Sequence, residues 1–230
     1  MDDPTPTGRS RRSVLALSAL ALVPPVLAVA GPAEAAPSAL AWSEHPFTYN
    51  MQKPWDLPLS ARYKNESGTH TMWVYDYDKP HTQDSNTDPR TEMRWLQEYS
   101  SGRHAWQGDV YIPSGVSGPS VMQILRVRGG DPGTPATDVM FDVHNQSGGT
   151  LRRYGSEVLA TGVYDTWFRL RVEHTAVSGG TGSIKAYING TLKLTVADRG
   201  RATRHFKNGV YHHGSGRAEA RFRNITYWRQ

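Results

Sequence analysis

Arg90-Thr91-Glu92-Met93-Arg94-Trp95 alternates charged and uncharged side chains without a break. Successive residues of a β-strand point to opposite faces, so Arg90, Glu92 and Arg94 share one face while Thr91, Met93 and Trp95 share the other. The stretch therefore reads as a strand with one charged face and one core face. Two later stretches behave the same way. In Val121-Met122-Gln123-Ile124-Leu125, the amide of Gln123 lies on the side of Val121 and Leu125. In His205-Phe206-Lys207-Asn208-Gly209-Val210-Tyr211, the residues His205, Lys207 and Tyr211 lie on one side and Phe206 and Val210 on the other. If the three polar faces meet on one sheet, they make a cationic groove carrying an amide and a phenol, a surface suited to a uronic acid chain.

Period two extends through the rest of the chain from Trp42, with β-branched and aromatic runs separated by Gly, Pro, Ser and Asn. The predicted strands span 71–75, 91–96, 104–112, 120–127, 138–144, 151–154, 166–174, 183–188, 191–197, 205–211 and 218–228. Asn189-Gly190 between two of them predicts a type I′ hairpin. No long amphipathic helix and no repeat of fixed period is read. The longest loops are 77–89 and 128–137, and loops of that length in a compact domain tend to be functional. The expected fold class is an all-β sandwich.

The 230 residues contain no cysteine, which excludes a disulfide framework, a thiolate metal site and a thiol nucleophile. Aromatic residues at 10% and charged residues at 20% are those of a chain with a real core. Ser10-Arg11-Arg12-Ser13-Val14-Leu15 precedes an apolar run to Ala30, and Ala33-Glu34-Ala35 is a small-x-small cleavage site, so residues 1–35 read as a removable twin-arginine export signal. The expected product is a secreted, extracellular protein made of one domain, 36–230, and free of the membrane after processing. That signal contains three basic and three acidic residues, so the formal charge of +5 belongs to the domain. With no Lys/Arg block, nucleic acid is not an expected partner, and an acidic polymer is.

The three stretches, in this order and spacing, resemble the signature strands of the alginate lyase superfamily of polysaccharide lyases, of the family 7 type. Gln52-Lys53-Pro54-Trp55-Asp56-Leu57-Pro58, Trp73-Val74-Tyr75 and Lys79-Pro80-His81 are similar to the branch that includes plant citrate-binding proteins. The resemblance runs from about Phe47 to Trp228. It implies a β-jelly roll sandwich of two antiparallel sheets with a concave substrate groove. It further implies that Arg90 and Gln123 neutralise the uronate carboxylate and that Tyr211 donates a proton to the leaving oxygen.

The chemistry is consistent on its own terms. Cleaving a 4-linked uronate by β-elimination removes the weakly acidic C5 proton and expels the C4 oxygen. Donors such as Arg90 and Gln123 stabilise the developing enolate, and a cation at Lys207 is expected to lower the phenol pKa of Tyr211. Glu92, Arg94, Lys207 and His205 are read as substrate-binding. The family pattern places a histidine where this chain has Leu125, which cannot take a proton. Either Tyr211 is both base and acid, which requires the C5 hydrogen and C4 oxygen on the same side of the ring, as in mannuronate and glucuronate, or a histidine supplies the base, with His81 first and His144 second. No metal or cofactor is required, His212-His213 included, and a monomer is expected. The rival reading is a non-catalytic binder of uronate chains or of a small polycarboxylate. Two suitably spaced carboxylates for glycoside hydrolysis are lacking, since the motif strands supply only Glu92.

Overall fold

The computed structural model describes residues 41–128 and 130–230, so the export signal read over residues 1–35 lies outside the described residues. Fifteen strands are present among them: β1 (Ser43–His45), β2 (Tyr49–Gln52), β3 (Tyr63–Glu66), β4 (Thr69–Tyr75), β5 (Arg90–Trp95), β6 (Gly102–Tyr111), β7 (Pro119–Arg128), β8 (Thr137–His144), β9 (Thr150–Arg153), β10 (Glu157–Thr161), β11 (Phe168–Ala176), β12 (Ser183–Ile188), β13 (Thr191–Ala197), β14 (Thr203–His212) and β15 (Arg217–Arg229). The helical content of the described residues is a single 3-10 turn, Leu59–Ala61.

All eleven predicted strands are found, with ends shifted by a few residues at most. Asn189 and Gly190 both have positive φ, as the type I′ hairpin between β12 and β13 requires. β1, β2, β3 and β10 were not expected. They are only three to five residues long, too short for an alternation to be read from sequence.

The strands form two antiparallel sheets. The front sheet has seven in the order β10-β9-β8-β7-β14-β5-β2, and the back sheet has eight, β13-β12-β11-β6-β15-β4-β3 with β1 on β15. The architecture is a jelly-roll sandwich, as expected. Its core is supplied by the apolar half of each alternation. Met93, Trp95, Met122, Ile124, Phe206 and Val210 come from the front sheet, and Met72, Val110, Val172 and Phe222 from the back, all without exposed surface. Asn208 is turned into this core, where its Oδ1 accepts from the indoles of Trp95 at 2.9 Å and Trp106 at 3.2 Å. A buried polar side chain thereby has its hydrogen bonds satisfied while it ties the sheets together.

The outward half of the same alternation defines two polar faces. On the front sheet it presents Arg90, Glu92 and Arg94, then Gln123, then His205, Lys207 and Tyr211. On the back sheet, Ala218, Ala220 and Phe222 of β15 are wholly buried, so Arg217, Glu219, Arg221 and Arg223 face outward. Leu170 and Val172 of β11 likewise leave Arg169, Arg171 and Glu173 outside.

Candidate active site

β14 lies between β5 and β7, so the three motif strands are neighbours in one sheet. In register, Lys207 stands beside both Arg94 and Gln123, Gly209 beside Glu92, and Tyr211 beside Arg90 and Ser120. A register shift between Asn208 and Tyr211 on the β7 side brings the phenol to this position. Gly209 is required there. Its φ is +149°, and a Cβ would lie 2.4 Å from the Thr91 carbonyl oxygen and 2.5 Å from the Glu92 Cα.

Glu92 is the centre of the cluster. Its carboxylate is wholly buried and takes Gln123 Nε2 at 2.5 Å, Lys207 Nζ at 2.5 Å and, more loosely, Arg90 Nη1 at 3.4 Å. Lys207, only 1% exposed, has its ammonium on this carboxylate. Burial lowers the lysine pKa, Glu92 pulls it back up, and Arg90 and Arg94 lower it further. Arg94 donates to Glu98 at 2.8 Å.

The Arg90 guanidinium lies 4.0 Å from the Tyr211 ring centroid. No side chain among the described residues claims the Tyr211 hydroxyl. Burial raises the phenol pKa, and the cation that opposes this is Arg90, not Lys207 as the sequence suggested. The lysine charge is spent on Glu92.

His81 reaches the cluster from the loop between β4 and β5. Asp78, near the start of that loop, takes both Arg62 Nε and Nη2 at 2.7 Å, and the Pro80 carbonyl accepts from the Trp55 amide at 3.0 Å. The loop ends on Asp88, which pairs with His213 at 2.8 Å. Burial lowers the His81 pKa, and the charges of Arg90 and Lys207 lower it further against an opposing pull from Glu92. The ring is therefore held neutral, the form able to accept a proton. His205 has no exposed surface and lies across the strand pair from Leu125. Its pKa is pushed down to about 3, by burial first and by Arg94 and Lys207 after it.

Sequence reasoning missed His213. Its ring meets the Tyr211 ring edge-on at 4.1 Å, and its Nε2 lies 3.4 Å from Ser120 Oγ. The sequence signal existed only in combination: Asp88 lies two residues before Arg90 and His213 two after Tyr211. Those positions meet once β5 and β14 are paired. His144, the second histidine considered as base, lies on β8 near Asp142, at the far side of β7. His212 is turned away and its Nε2 lies 3.2 Å from the Gly216 carbonyl oxygen. Among the described residues no group of three His, Asp or Glu side chains is placed to hold a metal.

Unsatisfied polar atoms concentrate here. Among the described residues nine buried side-chain nitrogen or oxygen atoms lack a partner, and five belong to Gln52, His81, Arg90 and His205 around Glu92. Gln52 stands beside Glu92 in the β2–β5 register. Buried polar groups are normally paired, so a concentration of unpaired ones marks a place where a polar ligand would satisfy them.

Comparison with known proteins shows the family and the fold. The family model described as alginate lyase matches residues 47–228, a span that contains every residue of the cluster. The chain belongs to the alginate lyase family. A citrate-binding protein of Hevea brasiliensis is 38% identical over 195 residues, covering 82% of this chain and 77% of the relative. Among solved structures, an alginate lyase of Pseudomonas aeruginosa superposes with a TM-score of 0.60 at 17% identity, over 80% of this chain and 98% of that one. An endo-β-1,4-glucuronan lyase of Trichoderma reesei superposes with a TM-score of 0.52 at 12% identity, over 81% and 89%. At those identities, the two superpositions establish the shared jelly-roll fold and nothing finer.

Proposed function

We propose that this member of the alginate lyase family is a polysaccharide lyase that cleaves a 4-linked mannuronate- or glucuronate-containing polymer by β-elimination. The observation that carries the reading is the stacking of Arg90 on Tyr211 across paired strands, with the phenol hydroxyl unclaimed by any side chain among the described residues. A uronate carboxylate drawn to Arg90 brings its C4 and C5 to the phenol. Arg90 has the donors for this, since one of its five N–H groups is committed to Glu92 and its Nε is unpartnered. Gln123 commits one amide hydrogen to Glu92 and keeps the other.

The chemistry then runs through residues in fixed positions. Arg90 and Gln123 hold the carboxylate and stabilise the enolate that forms as the C5 proton departs. Tyr211, its pKa raised by burial, holds its proton at neutral pH and delivers it to the C4 oxygen as that bond breaks. With leucine at position 125, either the neutral imidazole of His81 takes the C5 proton while Tyr211 gives its own to the C4 oxygen, or the small phenolate fraction of Tyr211 takes the C5 proton and passes that same proton to the C4 oxygen. The tyrosine route needs the C5 hydrogen and C4 oxygen on one face, which favours mannuronate and glucuronate. That the chain shares its fold with a glucuronan lyase supports the same polymer class. Lys207 and Glu92 act from beneath, fixing Arg90 and Gln123 rather than touching sugar. The reading includes export through the Arg11-Arg12 signal and action as a secreted monomer, and the exported protein is expected to begin at Ala36 by N-terminal sequencing.

The test is ultraviolet absorbance of the unsaturated uronate product during incubation with polymannuronate, glucuronan and polyguluronate. Absorbance should rise on the first two. Tyr211→Phe should abolish the rise while leaving the fold intact, and undiminished turnover by that variant would refute the mechanism. A rise confined to polyguluronate would demand a separate base and make His81 the next substitution. The second reading, a non-catalytic polycarboxylate binder, is favoured by one observation, the 38% identity to a protein named for citrate binding. It predicts no rise on any polymer together with saturable citrate binding lost in Arg90→Gln.

A further inference from the structure

We infer that the outer face of the back sheet is a second binding surface, for an extended anionic polysaccharide chain. The sequence suggested that the positive charge of this protein lines the catalytic groove, but the structure distributes it otherwise. At the front, Arg90, Arg94, Arg128 and Lys207 are opposed by Glu92 and Glu98, an excess of two charges. On the outward face of β11, β6 and β15, six arginines (103, 169, 171, 217, 221 and 223) are opposed by Asp109, Glu173 and Glu219, an excess of three.

The arginines are interleaved with aromatic rings rather than scattered. The Arg223 guanidinium lies 4.0 Å from the Trp167 ring centroid, Arg221 lies 4.9 Å from Tyr111, and Arg217 lies 5.6 Å from Trp73. Stacking uses the flat face of a guanidinium and holds the long side chain in place at little further entropy cost. Glu219 takes one edge of Arg217 and of Arg221, Asp109 one of Arg169 and Glu173 one of Arg171, and each guanidinium keeps further N–H groups for a carboxylate of a ligand. From Arg217 to Arg223 the row runs along one strand for roughly 20 Å, long enough for several sugar units. At one end it opens into a hollow of about 520 Å³ between Trp167, Arg169, Asp109 and Arg223. The Arg223 Nε is buried there without a hydrogen-bond partner among the described residues, with Asp109 Oδ2 3.8 Å away.

A linear chain of carboxylated pyranoses matches this surface in charge, length and flatness, with carboxylates for the guanidinium edges and apolar ring faces for the exposed parts of Trp167, Tyr111 and Trp73. The inference extends the proposed function and rests on it only for the class of polymer. Its consequence is that a chain is retained on one face while the other cleaves, so long polymers should be held more tightly than short oligomers that occupy the groove alone.

The experiment is affinity electrophoresis through gels containing glucuronan or polymannuronate, with turnover of a tetrasaccharide measured alongside. Arg221→Gln/Arg223→Gln and Arg169→Gln/Arg171→Gln are each expected to weaken polymer retention about tenfold and to leave tetrasaccharide turnover unchanged. Tyr211→Phe should lose turnover and keep retention. Arginine-selective chemical footprinting of Tyr211→Phe, which needs no change on the back face, should show polymer protecting Arg221 and Arg223. Full retention by both double variants, or absence of that protection, would overturn the inference. So would equal retention by single-stranded DNA, which would mean that charge alone is recognised. A protein with no turnover whose retention still depends on the back-face arginines would refute the lyase reading and leave this surface standing.

Discussion

Glu92 shows how one wholly buried side chain organises the cluster around it. The strand pattern placed it correctly on the polar face, and alternation alone then suggested contact with sugar. Alternation cannot tell a solvent-facing carboxylate from one covered by its neighbours. That difference comes from Gln123 and Lys207, which lie far away in sequence and converge on it only through strand pairing. Removing one partner of a buried ion pair leaves the other charge unsolvated, so Glu92→Gln should destabilise the fold by about 3–5 kcal/mol. Because the penalty belongs to the stranded ammonium, Glu92→Gln/Lys207→Met should recover part of it. Urea unfolding of the two variants checks this, and a double variant less stable than the single would mean that Glu92 contributes mainly through Arg90 and Gln123.

Strand β14 shows what the sequence held and what it did not. Its two faces were legible residue by residue, because Phe206 and Val210 alternate with Lys207 and Tyr211. Its position between β5 and β7 was not, since strand order depends on which chain segments pair, and the parity of each strand is the same in any order. The short edge strands β2 and β3 stayed hidden for a different reason: four residues are too few to establish a period, even where Tyr49 and Met51 of β2 pack against the core. Gly209 is where the element is most constrained, since the β5 backbone passes over the place of its missing Cβ. Gly209→Ala therefore has to push β5 away, at a cost of about 3 kcal/mol. It should also disturb the Arg90–Tyr211 stack, so turnover should fall beyond what the loss of folded protein explains. Denaturant midpoints and activity per folded molecule separate the two effects.

Across the molecule, five histidines are shifted the same way. Burial pushes His205 down to about 3 and His104 to about 4, and lowers His70, His81 and His212 as well. In the unfolded chain each titrates near 6.5. Between that value and the folded pKa the unfolded state binds more protons, so stability is fully present above about pH 6.5 and falls as the pH drops toward 3. Once both His205 and His104 are protonated in the unfolded state alone, the slope from these two is about 2.7 kcal/mol per pH unit. Asp142 works against this, because burial raises its carboxyl pKa and protonation then favours the folded state over part of the same range. Asp198 adds to the loss at lower pH, its carboxyl being held down by His174, the Gly182 and Gly200 amides and Arg204 against the opposing effect of burial. The expected result is a urea midpoint level above pH 7 and falling steeply below pH 6. His205 has no hydrogen-bond partner to lose, so His205→Leu should shed its share of that slope at little cost at neutral pH. An unchanged acid limb in His205→Leu would mean that the ring finds a proton acceptor in the folded state at low pH.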